Sequence, residues 1–370
     1  MRVITSEQTA SNSKYRLDHP VVVLYNKTAE LIKGEERDRV ADQGVVLCAK
    51  TIVSALKAMG YEVVDLPFSW DVETVLTPYP ANKWIVFNLG EGMAGKLFEE
   101  ARIAWALEAM GYSFTGNSGD AIALSLNKAR AKSVLQASGL KTPEWWLFSS
   151  PDEIDPKVAD RLPYPLIVKP LAEGGSIGLD GTAVVHSAEA LRERVSYLAE
   201  TYFQSALAER FIVGRELNIA MLGNPPDVLP LAEIDFADFS DPYEKIVSFD
   251  AKWKEDSFEY NHTPTICPAE LPRAVENRVR RTALKAWDAI GCSGYARVDM
   301  RLDQKNIPYV LEVNCNPDIS TNAGFHLAAR AAGYNYKILI SHLLKNARRP
   351  SNGYRQSSST TKWRADFKNN

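Results

Sequence analysis

Two pairs of polar residues at strand spacing, Arg297-x-Asp299 and Glu312-x-Asn314, are the part of this chain best suited to chemistry. Each pair lies in a short run of alternating apolar positions, residues 294–303 and 307–314, joined by the polar stretch 304–306. Such runs predict an antiparallel hairpin, and side chains at i and i+2 share a face of a strand, so all four residues would emerge together. Three oxygen-bearing groups (Asp299, Glu312 and Asn314) beside the fixed cation Arg297 suit a hard ion such as Mg2+, with phosphate oxygens and water completing its shell. A hairpin with a solvated charged face would show the same pattern, and the motif alone leaves the two readings level.

Upstream stand residues that could hold an anion. Lys169 ends the apolar strand 164–170, where a half-buried charge needs an anionic partner, and a phosphate would serve. Directly after it, Glu173-Gly174-Gly175-Ser176-Ile177-Gly178 could turn backbone N–H groups onto anionic oxygens or act as a mobile flap. This loop matches neither the P-loop nor the dinucleotide fingerprint. Lys128, Arg130 and Lys132 open a helix that runs from Asn127 to Gly139, a place where lysines are commonly just solvated.

Composition narrows the classes. With 370 residues the chain can hold two or three domains, and a net charge of −3 argues against a dedicated nucleic-acid surface, so a small-molecule partner is expected. No apolar run approaches the roughly 20 residues needed to span a bilayer, and the polar N-terminus lacks the apolar core of a signal peptide, which predicts a cytoplasmic protein. Cys48, Cys267, Cys292 and Cys315 show no CxxC spacing, so they read as reduced core residues rather than a zinc site or disulfide framework. Cys315 has no His or Asp in a recognisable catalytic pairing.

The elements that must position these residues follow in order. Residues 1–19 form a polar extension. Strands at 21–25, 62–66 and 84–88, with a helix at 43–59, predict a right-handed parallel α/β unit, and the third strand runs into Leu89-Gly90-Glu91-Gly92 at the edge where such sheets bind ligands. This makes Glu91 a substrate candidate. A helix is predicted at 97–110. Strands at 207–213 and 216–221 read as a hairpin with Glu209 and Glu216 at opposite ends. Residues 232–268 read as an irregular, functional loop with Lys252-Trp253-Lys254 at its middle. Helices are predicted at 271–290 and 328–344, and 348–370 reads as a disordered tail. The expected domains are 20–124, 125–208 and 209–347.

In this order the motifs resemble the ATP-grasp superfamily, and specifically the D-alanine:D-alanine ligase-like carboxylate-amine ligases, over roughly residues 20–345. The most specific part is Arg297-x-Asp299 followed by Leu311-Glu312-Val313-Asn314-x-x-Pro317, supported by Ile167-Val168-Lys169-Pro170, the 173–178 loop, Glu209 and Glu216, and Asn127-Lys128-x-Arg130-x-Lys132. The resemblance implies an α/β (α+β) chain with the ATP-grasp fold of three subdomains: an N-terminal parallel α/β domain, with ATP bound between the central and C-terminal subdomains. It implies a homodimer, ATP with Mg2+ or Mn2+ as cofactors, and small amino acids or amines as substrates. Lys128 and Lys169 would contact phosphates, the loop with Glu173 and Ser176 would close over them, and Asp299, Glu312 and Asn314 would hold the metal. Glu209 and the backbone near Ile212 would read adenine, Glu216 would accept from the ribose hydroxyls, and Arg297 would stabilise the oxyanion. The implied reaction is formation of an amide or peptide bond through an acyl phosphate, a task of positioning and electrostatics.

The chain departs from these ligases where they meet their substrates. The first strand leads into Asn26-Lys27-Thr28-Ala29-Glu30 instead of a glycine-rich segment with Ser and Glu; Gly175 replaces a loop serine; Asp318-Ile319-Ser320-Thr321 replaces Gly-Met-Thr-Ser; and Ala323 stands where a serine binds the second substrate's carboxylate. These departures point to an altered pocket, with Asp318, Ala323 and Lys252 as substrate residues. A phosphotransferase on the same fold and a non-catalytic ATP-binding protein are the alternatives.

Overall fold

The computed structural model describes residues 19–27, 33–69, 71–91 and 98–349, save the side chains of Ala41 and Asp42. The extension through residue 18, Thr28 to Glu30, Gly92, Leu97 and residues 350–370 lie outside the described set.

The first unit comprises β1 (Val21–Asn26), α1 (Arg39–Ala58), β2 (Val63–Phe68), α2 (Val72–Leu76), β3 (Ile85–Leu89), α3 (Glu99–Ala109) and β4 (Ser113–Phe114). Its sheet has the order β2-β1-β3-β4 and is parallel throughout, as the short strand–helix–strand connections predict. Every residue of β1 and β3 is buried, which is why both are continuous apolar runs rather than alternating ones. Their carboxyl ends meet where the Glu91 N–H donates to Asn26 Oδ1 at 2.8 Å. The predicted tail is anchored at its first residue, because Arg348 exchanges backbone hydrogen bonds with Phe114.

Next come α4 (Gly119–Leu126), α5 (Lys128–Ala137), β5 (Trp145–Phe148), α6 (Pro156–Ala159), β6 (Leu166–Pro170), β7 (Val184–Val185), α7 (Ala188–Tyr202) and β8 (Ala206–Arg210). The strands form an antiparallel sheet ordered β5-β8-β6-β7. Asn127 caps α5 by accepting the Arg130 N–H at 3.0 Å, which fixes Lys128 in the first turn.

The remainder comprises β9 (Gly214–Leu222), β10 (Asp227–Val228), β11 (Ala232–Ile234), α8 (Phe249–Trp253), α9 (Phe258–Asn261), β12 (Thr265–Ile266), α10 (Arg273–Ile290), β13 (Tyr295–Asp303), β14 (Pro308–Asn314), α11 (Gly324–Ala331) and α12 (Tyr336–Lys345). A second antiparallel sheet runs β12-β11-β9-β13-β14, with β10 beside β9. Val275, Val279 and Ala283 of α10 are buried in one apolar core with Val298 and Met300 of β13 and Val310 and Val313 of β14. Among the described residues no helix is long and apolar enough to cross a membrane.

Three expectations fail. The runs around Glu209 and Glu216 do not form a hairpin: β8 is flanked by β5 and β6, while β9 pairs with β13 along its whole length. Gly214 makes that crossing, since a Cβ there would stand 1.8 Å from the Leu302 carbonyl oxygen. The helix expected at 328–344 is two helices, broken at Gly333 (φ +88) and restarted where Asn335 Oδ1 accepts the Ile338 N–H at 3.0 Å. Residues 232–268 are not one irregular loop, because Ser248 and Ser257 cap the short helices α8 and α9 between the paired strands β11 and β12.

Candidate active site

The β13–β14 pairing sets Arg297 opposite Asn314 and Asp299 opposite Glu312, with an irregularity just after Asp299. Arg297 grips Asp299 through two bonds of 2.7 Å, Nε to Oδ1 and NH2 to Oδ2. Asn314 Nδ2 donates to Asp299 Oδ2 at 2.9 Å and to Glu312 Oε1 at 3.1 Å. From the opposite neighbour β9, Asn218 Nδ2 donates to Asp299 Oδ1 at 2.8 Å. Burial works against the charge of Arg297, but Asp299, then Glu312 and Asp318, hold its pKa above the ordinary guanidinium value. Burial also opposes ionisation of Glu312, yet Lys128 and Lys169 pull its carboxyl down to about 2. The two carboxylates fit a hard divalent cation, and Asn314, whose Nδ2 faces both of them here, would add its Oδ1 once the amide turns over. Among the described residues no three His, Cys, Asp or Glu side chains converge as a metal site, so an ion here would need further oxygen donors from a ligand.

Facing this set is a cluster of lysines. Lys128 Nζ stands 3.8 Å from Glu312 Oε2 and donates to the Glu173 carbonyl at 2.5 Å. The anionic partner that Lys169 needs is supplied by the protein: its ammonium lies 3.0 Å from Glu209 Oε2. Lys132, one turn after Lys128, lies 2.6 Å from Glu209 Oε1 and donates to Thr142 Oγ1 at 2.7 Å and to the Leu311 carbonyl at 3.2 Å. Burial brings the Lys132 pKa down to about 8 against the pull of Glu209. For Lys169 the opposing effects of burial and Glu209 resolve upward, so its ammonium is held charged. Glu209 is thus an anchor for two lysines, and its pKa is lowered because they outweigh its burial.

The glycine loop is docked. Ser176, at φ +62, donates its hydroxyl to the Val247 carbonyl at 2.8 Å, and Trp253 Nε1 donates to the Gly175 carbonyl at 2.8 Å. A non-glycine residue in the left-handed region is uncommon and persists only where its surroundings hold it. Glu173 Oε1 accepts from both Lys33 and Gln204.

Glu216 sits on β9 rather than beside Glu209, and Arg301 of β13 holds its Oε2 at 3.0 Å through both Nε and NH2. Arg301 NH1 also donates to the Ile212 carbonyl at 3.0 Å, with its guanidinium carbon 4.6 Å from the centre of the Phe211 ring. Burial raises the Glu216 pKa against the pull of Arg301.

At the other end, Lys252 shares one electrostatic environment with Arg297, Asp318, Glu91 and Glu312. Burial, then Arg297, push its ammonium pKa down while the three carboxylates resist. Asp318 Oδ1 accepts the Ser320 N–H at 2.8 Å, so the side chain folds back over its own turn while its charge still acts on Arg297 and Lys252. Ala323 occupies the N-cap of α11, where it offers no side-chain cap to the helix. Cys48 lies against this group, its thiol pushed up to about 12 chiefly by burial.

Contacts and charge thus link Arg297, Asp299, Glu312 and Asn314 to Lys128 and Glu173, and Lys252, Asp318 and Glu91 share an electrostatic environment with Arg297, whereas Glu209 and Glu216 come from different sheets. Sequence reasoning assigned no role to four residues. Lys132 is signalled by its i+4 spacing from Lys128, and Arg301 and Asn218 by their i+2 spacing from Asp299 and Glu216. Glu100 on α3, whose carboxyl burial raises to about 8 and which hydrogen-bonds Asn316, carries no such signal.

A family model described as the D-ala D-ala ligase C-terminus matches residues 134–345. Among curated proteins, the chain is 35% identical over 251 residues to the D-alanine–D-alanine ligase of Nitrosomonas europaea, covering 68% of this chain and 76% of that one. It is 32% identical over 318 residues to the corresponding ligase of Desulforudis audaxviator, covering 84% and 94%. It is also 32% identical to the uncharacterized protein y4sG of Sinorhizobium fredii, covering 81% and 87%. Among solved structures, the D-alanine–D-alanine ligase of Bacillus anthracis superposes with a TM-score of 0.70 at 23% identity, covering 89% of this chain and 97% of that one. The same enzyme complexed with ATP gives 0.68 at 21% identity, covering 89% and 96%.

Proposed function

The chain belongs to the D-alanine–D-alanine ligase family of ATP-grasp enzymes, and from that membership we propose that it is a Mg2+-dependent carboxylate-amine ligase working through an acyl phosphate on an altered substrate pair. The observation that carries this reading is the meeting of Arg297, Asp299, Glu312 and Asn314 on one hairpin face, with Lys128 3.8 Å from Glu312. Nucleotide binding alone does not require a guanidinium locked beside the metal carboxylates.

The nucleotide would lie between the sheet carrying Lys169 and the sheet carrying Glu216. Lys128 and Lys169 neutralise phosphate oxygens that otherwise repel an incoming carboxylate. Asp299, Glu312 and Asn314 would hold Mg2+, which would supply charge stabilisation at the phosphoryl group. A substrate carboxylate oxygen attacks the γ-phosphorus, and the bond to the β,γ-bridging oxygen breaks to release ADP. The amine nitrogen of the second substrate then attacks the acyl carbon, and Arg297 stabilises the oxyanion that develops there. Collapse expels inorganic phosphate, the amine proton is lost, and the amide remains. Consumption of ATP makes the cytoplasm the proposed compartment.

Asp318 supports a change of acceptor. Its charge acts on Arg297 and Lys252, and Ala323 offers no hydroxyl, so a free acceptor carboxylate at that spot would meet a like charge. The acceptor is accordingly an amine, amide or basic compound, or one that places its carboxylate on Lys252. Incubation with ATP, Mg2+ and a panel of amino acids and amines tests the function. Amine-dependent phosphate release with an amide product supports it; a phosphorylated product, or nucleotide binding without turnover, overturns it.

A further inference from the structure

We infer that Lys33 is a positioning residue for the phosphate end of the site, reaching it from the segment after β1 through Glu173; this rests on the ligase reading above. Lys33 Nζ pairs with Glu173 Oε1, the oxygen that also accepts from Gln204. Only 9% of the Lys33 side chain and 15% of that of Glu173 are exposed, so solvent screens the pair little. The same residue, Glu173, offers its backbone carbonyl to Lys128 Nζ, and Lys128 in turn faces Glu312. A continuous chain of contacts therefore runs from Lys33 through Glu173 and Lys128 to the proposed metal carboxylate.

The attachment is reinforced on both sides of Lys33. The Gly34 N–H donates to the Thr201 carbonyl at 2.9 Å, and Tyr197 of α7 donates its hydroxyl to Glu35 Oε1 at 2.9 Å. Arg37 stands 3.7 Å from Asp180, at the far end of the glycine loop, and 3.8 Å from Asp250 of α8. The Leu179 carbonyl accepts the Phe249 N–H at 2.7 Å. Residues 33–37 thus grip the start and the end of the loop that holds Lys128, while Ser176 and Trp253 tie its middle to the 247–253 segment. Loss of the Lys33 charge leaves the Glu173 side chain on Gln204 alone, lets its carbonyl shift, and moves Lys128 out of register with Glu312. The consequence falls on the nucleotide rather than on the amine acceptor.

The test is the affinity of full-length Lys33→Ala, Lys33→Arg and Glu173→Gln variants for a non-hydrolysable ATP analogue with Mg2+, measured by calorimetry beside steady-state KM values for ATP and for the amine acceptor. We expect Lys33→Ala to weaken analogue binding about tenfold, the size of one charge-assisted hydrogen bond, with the acceptor KM within twofold of wild type. Lys33→Arg should restore most of the affinity, and Glu173→Gln should by itself weaken analogue binding about tenfold. Analogue affinity unchanged in both Lys33→Ala and Glu173→Gln overturns the inference, as does an equal rise in both KM values. If wild type itself binds no analogue, the ligase reading fails instead.

Discussion

The Lys132 ammonium lies 2.6 Å from the Glu209 carboxylate, with 1% of either side chain exposed. Lys169 takes the other carboxylate oxygen at 3.0 Å, so one buried anion spaces two cations, of which Lys169 is the phosphate candidate. Removing one member of such a group strands the others' charge in a poorly solvated place. Lys132→Met should cost about 3 kcal/mol of unfolding free energy in urea titrations. A loss below about 1 kcal/mol, the value of an exposed pair, would show that the cluster does not hold the fold together there.

Glu312 links the site to acid stability. Its folded pKa, about 2, lies below the ordinary 4.5 because Lys128 and Lys169 outweigh burial. Ionised Glu312 therefore stabilises the folded chain above pH 4.5, and that contribution disappears as the pH falls towards 2. Glu312→Gln should flatten the dependence of melting temperature on pH in this window and abolish turnover. A variant that keeps wild-type activity, or whose acid limb is as steep as wild type, would remove Glu312 from the proposed role.

Ser176 holds its loop against Val247 through a hydroxyl carried on a left-handed backbone. Ser176→Ala keeps the backbone but loses the hydrogen bond, worth about 1 kcal/mol. The KM for ATP should rise about fivefold at unchanged melting temperature. An unchanged KM would mean that the hydroxyl is not what seats the loop.

The hairpin of β13 and β14 was legible because its alternation and its four polar residues are local to some twenty positions, a span over which strand periodicity dictates facing. The roles of Glu209 and Lys169 were not. A lysine at a strand end looks short of an anion until the fold brings Glu209 across from β8, and no local pattern encodes that pairing. The false hairpin at 207–221 has a similar cause: two apolar runs close in sequence pair only if neither finds a better neighbour, and β9 finds β13. The split between α11 and α12 was legible in principle, since Gly333 and Asn335 are a helix stop and a helix start.

Asp318 tests the altered acceptor site. Its carboxylate acts on Arg297 and Lys252 from the turn that leads to Ala323. Asp318→Asn keeps the shape and the bond to the Ser320 N–H but removes the charge. Relative kcat/KM for acceptors bearing a free α-carboxylate should rise at least about tenfold over those without one. An unchanged acceptor profile would mean that Asp318 serves only its turn.

The acyl phosphate itself leaves a label. With the substrate carboxylate carrying 18O and the protein turning over ATP, Mg2+ and an amine acceptor, one labelled oxygen per amide formed should appear in inorganic phosphate. Unlabelled phosphate, or label found only in the amide product, would contradict an acyl-phosphate ligase built on Arg297, Asp299, Glu312 and Asn314.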